Sequence, residues 1–426
     1  ERICSAIAVA ILIVLSGGFI HCGHERQKPY NVVLIIVDTL RADRLHYAGN
    51  PRSVSPEIDR LAAEGVVFPV SYSQAGWTIP AVASIMTGRY PRDHTATDFR
   101  HPIDMALPTM AGILSRNDYD TKGYVSHFML NPNNGFSQGF NEFDSSVLSK
   151  GHPHNISSSR EVTDLALAGL RSAKEPFFLW VHYFDPHFEY LSHSSFSSFG
   201  DSEIDRYDQE IAYTDFHIGR LLERISDEDT IVIFTSDHGE EVGEHGGKYH
   251  YTLYDDVMRT PLIIKAPFLE PGINEGSAEQ IDILPTLLGL LDLEVGSSLP
   301  GRDLFDSSTP EGPVFIERDR PPPWRQRGVI AGNHKLWVIE EFDIRTIPAG
   351  NRETAIPVEN VHPGIYMYDL AADPGEKNNI YSEKDPKALE LLGIMTRHFS
   401  VSKSPTRRVK LEADTLEKLR SLGYVE

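Results

Sequence analysis

At 426 residues the chain is long enough for one large domain and a smaller one, each with its own core. Forty basic against 61 acidic side chains leave a formal charge of −21, which argues against nucleic acid or an anionic membrane surface as a partner. An anionic substrate must therefore meet locally placed positive charge, and a bound cation is the simplest source of it. The only cysteines are Cys4 and Cys22, so the body of the chain has no disulfide and no thiol nucleophile.

Ala6 to Ile20 is an apolar run of 15, too short for a comfortable membrane span and right for a signal-peptide core. Cys22 follows it as a candidate for lipidation. Residues 1–24 thus read as a signal peptide or lipoprotein anchor, and the expected location is exported: periplasmic, extracellular or tethered to a membrane through the N-terminus.

Asn31 to Val37 is a buried-strand run ending in the carboxylate of Asp38. Pro56 to Gly65 is a helix with proline in its first turn and glycine at its stop. Gly76 to Pro91 is a small-residue turn running into an apolar helix. Pro80 belongs in the first turn of that helix, which puts Thr78 at its cap with the hydroxyl pointing outward. A helix start gathers unpaired N–H groups and the positive end of the dipole, a suitable place for a phosphoryl or sulfuryl ester.

Leu107 to Leu114 reads as helix, Tyr124 to Ser126 as a short strand, and Asn131 to Asp144 as a loop walling a cleft. Ser159 to Ala173 is an amphipathic helix. The next buried strand, Phe177 to Tyr183, runs into Asp185-Pro-His187. Apolar spacing from Tyr207 to Ile225 gives a long helix, and Thr230 to Ser236 repeats the first strand's design, ending in Asp237-His238-Gly239-Glu240. Two strands therefore deliver an acidic residue at the carboxyl edge, where open α/β sheets bind ligands. Thr260 to Ala266 adds a strand and Ile281 to Leu291 a helix. Beyond Gly301 short strands follow one another without crossover helices, at Pro313–Arg318, Gly328–Ala331, His334–Ile339 and Gly364–Asp369, with helices near 386–399 and 414–422. The fold class is α/β: a mostly parallel sheet sandwiched by helices over residues 29–305, with a smaller antiparallel C-terminal subdomain over 313–426.

Taken together, Val37-Asp-Thr-Leu-Arg-Ala-Asp43, Thr78-Ile-Pro80, Thr87-Gly-Arg-Tyr-Pro91, His182-Tyr-Phe-Asp-Pro-His187, Ser236-Asp-His-Gly239, Gly243-Glu-His-Gly246, Ile281-Asp-Ile-Leu-Pro-Thr286 and Tyr368-Asp-Leu-Ala-Ala-Asp-Pro-Gly-Glu376 resemble, in the same order, the sulfatase family of the alkaline phosphatase superfamily. On that resemblance Asp38, Asp237 and His238 are metal ligands, and Thr78 is both a ligand and the nucleophile. Two carboxylates suit a hard divalent cation such as Ca²⁺, Mg²⁺ or Mn²⁺, and one imidazole leaves Zn²⁺ open. His187 and His250 align with the family's histidine after Asp-Pro and its basic residue before Leu-Tyr, which makes them candidates for substrate contact or acid catalysis. Lys248 competes with His250 for that role. Arg41 and Arg89 are further candidates for substrate oxygens, with structural ion pairs the stronger expectation for both, and Asp185, His182 and His245 carry less weight. A second ion on Asp185, His187 and His250 would make the site dinuclear, but the Asp-Pro-His spacing is narrower than that pair requires, so one metal is expected.

The departures from the family matter as much. A sulfatase of this resemblance carries Cys or Ser where Thr78 stands and oxidises it to formylglycine; threonine cannot give that aldehyde, and none is expected. Val82 replaces the signature arginine, Thr39 replaces a second carboxylate, and Val125-Ser-His-Phe128 stands where a Gly-Lys-Trp-His stretch supplies sulfate contacts. The expectation is hydrolysis of a small anionic phosphoester, phosphodiester or phosphonate. Sulfuric ester hydrolysis, envelope transfer of phosphoethanolamine or phosphoglycerol, and a non-catalytic binding protein remain open.

Overall fold

The computed structural model describes residues 29–150, 157–294, 298–318, 324–341, 362–400 and 417. The N-terminal apolar run, Cys22 and, apart from Glu417, the expected helix at 414–422 lie outside the described residues.

The central sheet has eight strands: β1 (Asn31–Val37), β2 (Val66–Val67), β3 (Asp120–Val125), β4 (Glu142–Asp144), β5 (Phe177–Tyr183), β6 (Thr230–Ser236), β7 (Leu262–Lys265) and β8 (Gly272–Ile273). Their order is β8-β2-β7-β6-β1-β5-β3-β4. The core strands β6, β1, β5 and β3 run parallel, while β7 is antiparallel to β6 and to β2. Every residue of β1, β5 and β6 is buried, because helices cover both faces and leave no side for polar residues.

Strand alternation divides the core in two. Val32, Leu34 and Ile36 face α2 (Thr78–Thr87), α3 (Met110–Arg116) and α6 (Ile283–Leu290). Val33, Ile35 and Val37 face α1 (Pro56–Glu64), α4 (Ser159–Ser172) and α5 (Glu203–Leu222). Each fully buried Val, Ile or Leu contributes about 1.5–3 kcal/mol, so the sheet is held from both sides.

Two details differ from the sequence reading. The helix expected from Leu107 starts at Met110, because the Thr109 hydroxyl accepts from Gly112 N at 3.1 Å and caps it. The segment 131–144 packs inward instead of walling a cleft: Phe140 stacks on Phe178 and Trp180, and Glu142–Asp144 pairs as an edge strand.

A second, four-stranded antiparallel meander comprises β9 (Val314–Arg318), β10 (Trp324–Ala331), β11 (His334–Glu341) and β12 (Gly364–Asp369). One face packs α7 (Pro386–Phe399) through Ala388, Leu391 and Met395. The other packs Val314, Ile316 and Trp337 against Leu253, Val257 and Met258 of the main domain. Among the described residues no helix is long and apolar enough to cross a membrane.

Candidate active site at the strand ends

Register sets the geometry of the carboxyl edge. Val37 lies opposite Ser236 on one side and Tyr183 on the other, so Asp38 and Asp237 leave their strands at one level, with His182 beside them. Thr39 then takes a left-handed conformation, φ 52°, a costly turn for a β-branched residue. The turn aims Thr39 N–H at Asp237 Oδ1, 3.2 Å away, while Tyr207 OH donates to Thr39 O at 2.7 Å and holds it.

His238 Nδ1–H donates to Gly239 O at 2.9 Å, which leaves the Nε2 lone pair facing inward. That nitrogen is 3.8 Å from Asp38 Oδ1 and 3.6 Å from Asp237 Oδ2, and His182 Nε2 is 3.9 Å from the same Asp237 oxygen. All four side chains are wholly buried. Both oxygens of Asp38, Asp237 Oδ2, His238 Nε2 and the two ring nitrogens of His182 have no hydrogen-bond partner among the described residues. Burial, then the charges of Asp237 and Glu240, hold the Asp38 carboxyl well above the ordinary range. Burial pushes Asp237 the same way, but His238 and His182 outweigh it and bring Asp237 below its ordinary value. Unpaired buried carboxylates are costly, and the donor set fits a divalent cation, which would supply the missing partner.

Thr78 is the first residue of α2; the cap is Trp77, with extended φ −168° and ψ 158°, so Thr78 stands one residue inside the cap position expected of it. Thr78 Oγ1 is instead buried with no hydrogen-bond partner among the described residues. The turn leading to it is stitched to the β6 end. Gly76 lies so close to Val257 that a Cβ there would be 3.1 Å from its Cγ1, and Val257 O accepts from Gly239 N at 2.7 Å. Gln280 Nε2 donates to Asp237 O at 3.0 Å while Ile281 N donates to Gln74 Oε1 at 3.1 Å.

A second group of donors stands beside the first. His187, Glu240 and His250 are all buried, each offers one ligand atom, and these atoms lie within 4.8 Å of one another. The His250 ring centroid is 4.7 Å from that of His238. Burial, followed by the neighbouring His238 and His187, holds His250 well below its ordinary pKa, so it is a neutral imidazole. Arg318, at the end of β9, donates from Nε to His250 O at 2.7 Å.

Two further buried residues at this edge, His127 and Glu240, are not among the site residues expected from the sequence. His127 lies in the Val125-Ser-His-Phe128 stretch, one residue past Ser126, whose N donates to His182 O. Its Nδ1 accepts from Met129 N at 3.1 Å, so the neutral ring carries its proton on Nε2, 3.6 Å from Asp38 Oδ2. Burial and then His182 keep it neutral. Glu240 follows the Asp-His-Gly motif directly, and nothing in its spacing marked it.

Other expected residues are elsewhere. Lys248 is 52% exposed and pairs with Glu203 at 2.8 Å. The positive φ of Tyr249, 70°, turns the chain between Lys248 and His250, so residues two apart do not share a face. Arg89 follows Gly88 at the far end of α2, about 15 Å of helix from Thr78. Its Nη2 points to Ser298 O. Asp185 accepts from the backbone N–H of Ser158 and Ser159 at 3.0 and 2.8 Å and so anchors the start of α4. His245 stacks on Tyr254 and pairs with Asp256 at 3.3 Å. Arg41 is a buried hub for Asp43, Glu244 and Asp256, the structural role expected of it.

The sulfatase family model matches residues 30–293, more than half of the chain. The chain is 27% identical over 425 residues to the ulvan-active sulfatase of Formosa agariphila, covering 86% of this chain and 80% of that one. A protein solved in complex with its substrate D-glucosamine-2-N,6-O-disulfate superposes with a TM-score of 0.70 at 19% identity, over 88% of this chain and 98% of its own. The phosphonate monoester hydrolase of Agrobacterium radiobacter gives 0.68 at 19% identity, over 90% and 100%. With this sheet, this strand-end edge and this match, the chain belongs to the sulfatase family of ester hydrolases within the alkaline phosphatase superfamily.

Proposed function

We propose that the protein hydrolyses a phosphoric or phosphonic ester with Thr78 as nucleophile. The observation that carries this is a threonine hydroxyl at the N-terminus of α2, buried and without a hydrogen-bond partner among the described residues, where formylglycine chemistry has no precursor. Asp38, Asp237, His238 and Thr78 would hold one divalent cation, which when bound neutralises a substrate oxygen and lowers the pKa of a coordinated hydroxyl.

Thr78 Oγ1 gives its proton to water and forms a bond to phosphorus as the opposite P–O bond breaks; the electron pair leaves on the ester oxygen, which takes a proton from water. A second water then adds to phosphorus, the Oγ1–P bond breaks, and Thr78 regains its proton. The N–H groups of Thr78 and Ile79, at the first turn of α2, would face the anionic group. His127, with its proton on Nε2, orients a substrate oxygen beside Asp38. His187 and His250 serve the departing group. The phosphonate monoester hydrolase among the structural neighbours and the absence of an aldehyde precursor both favour phosphorus over sulfur. The apolar run at 6–20 supports export.

One panel tests this: turnover of nitrophenyl phosphate, methyl-type phosphodiester, phosphonate and sulfate by wild type and Thr78→Ala. The expected result is turnover of a phosphorus ester that falls by about 10⁴-fold or more in Thr78→Ala. Sulfate turnover that survives Thr78→Ala overturns the reading.

A further inference from the structure

Glu240 accepts from Tyr190 OH at 2.8 Å through Oε2, while Oε1, wholly buried, has no hydrogen-bond partner among the described residues. His250 Nδ1 stands 3.5 Å from that oxygen. This is too long for a useful hydrogen bond and close to the roughly 3.3 Å that separates two ligand atoms around one tetrahedral ion with bonds of about 2.0–2.1 Å. His187 Nδ1–H donates to Phe188 O at 2.6 Å, the backbone contact by which a ligating imidazole is commonly held, and one ring nitrogen of His187 lies within 4.8 Å of the ligand atoms of Glu240 and His250. A carboxylate oxygen in need of a partner, and two imidazoles, one oriented by a carbonyl, thus meet in one buried pocket.

We infer that His187, Glu240 and His250 form a second cation site, separate from the one at Asp38, Asp237 and His238. Two imidazoles and one carboxylate select a borderline ion, Zn²⁺ or Mn²⁺, over Ca²⁺ or Mg²⁺, and three protein ligands leave a position open. The sequence allowed a second ion only through Asp185, whose oxygens are spent on Ser158 and Ser159; Glu240 takes that place. The new site adjoins the first, His238 to His250, so its open position is suited to the charge on a departing oxygen. That catalytic consequence rests on the reading of Thr78 as nucleophile; the binding of the ion does not.

The test is a metal count. The full chain, stripped with chelator and dialysed against Zn²⁺, is measured by elemental analysis. Wild type is expected to retain two tight equivalents, Glu240→Gln one, Asp237→Asn one, and the double variant none. A visible Co²⁺ absorption band should persist in Asp237→Asn and vanish in the double variant. His187→Gln repeats the measurement where Glu240→Gln loses its circular dichroism signal. Wild type with one equivalent, or Glu240→Gln with as many as wild type, overturns the second site. Turnover by Thr78→Ala decides the nucleophile separately, so the two readings fail independently.

Discussion

Two sets of side chains that could hold a metal ion meet at one edge of the sheet, and they are built differently. Asp38, His182 and Asp237 stand at the carboxyl ends of β1, β5 and β6, whose mutual register places them at one level. His187, Glu240 and His250 are carried by the segments beyond those strands, one of them shaped by Tyr249 at φ 70° and fixed by Arg318 from the second sheet. Strand-borne donors are placed by the hydrogen-bond ladder itself, whereas loop-borne donors need dedicated contacts to stay in place. The first set therefore tolerates change around it, and the second depends on its surroundings.

The sharpest way to separate the two is Asp237→Asn, which removes a ligand while keeping the strand. Its turnover should fall by more than the roughly 100-fold that outer partners of a metal typically cost, with the melting curve nearly unchanged. Stopped assays beside thermal denaturation check this, and retained turnover would contradict the strand-borne assignment. Gly239 lies between His238 and Glu240, and a Cβ there would be 2.1 Å from Asp256 O. Gly239→Ala should disturb both sets at once, costing about 1–3 kcal/mol in urea denaturation and lowering metal retention at both positions.

A milder probe acts on the loop support alone. Glu210 of α5 accepts from Leu191 N at 2.6 Å and pairs with His193 at 2.9 Å, tethering the segment that carries His187. Burial pushes its carboxyl from an ordinary 4.5 up to about 7, against the opposing pull of His193. The folded protein then holds a proton that the unfolded chain releases, so this group's contribution is full below about 4.5 and is lost as pH rises through about 7. The stability of wild type relative to Glu210→Gln should decline across that window, by about 3 kcal/mol at most. Denaturation at pH 5 and 8 reads the difference; a flat profile refutes the buried, protonated Glu210 carboxyl. Smallest of all, Lys248→Ala and Arg89→Ala should change stability by less than about 0.5 kcal/mol and kcat/KM by less than about twofold, since neither side chain reaches either set.

The strand-borne set was legible because two seven-residue strand runs each lead into an Asp, and parallel pairing leaves their ends together. His182 belongs to the same edge but carries little weight in the sequence, because only the register places it beside Asp38 and Asp237. Glu240 was not legible: its position relative to His187 and His250 comes from close packing of Gly239 on Asp256, which no periodicity encodes. Lys248 misled for the same reason, since a two-residue spacing predicts a shared face only where the backbone stays extended. Thr78 was located to within one residue, because Pro80 marks the first turn without saying whether the turn begins at Trp77 or Thr78.

The meander formed by β9 to β12 reaches further into this chemistry than its place beyond residue 293 suggests. Glu317 N donates to Gln74 O at 2.9 Å, Arg318 holds His250 O, Gln326 Nε2 donates to Tyr251 O at 2.6 Å, and the fully buried Lys335 joins Asp255 to Glu376 at 2.8 and 2.9 Å. Those four residues brace the backbone on both approaches to the reaction centre, the Gln74 turn and the 250–255 loop. Trimming the gene to its matched segment would thus yield a scaffold with its chemistry unfastened, and grafting the meander of a relative would retune that chemistry without altering one liganding atom.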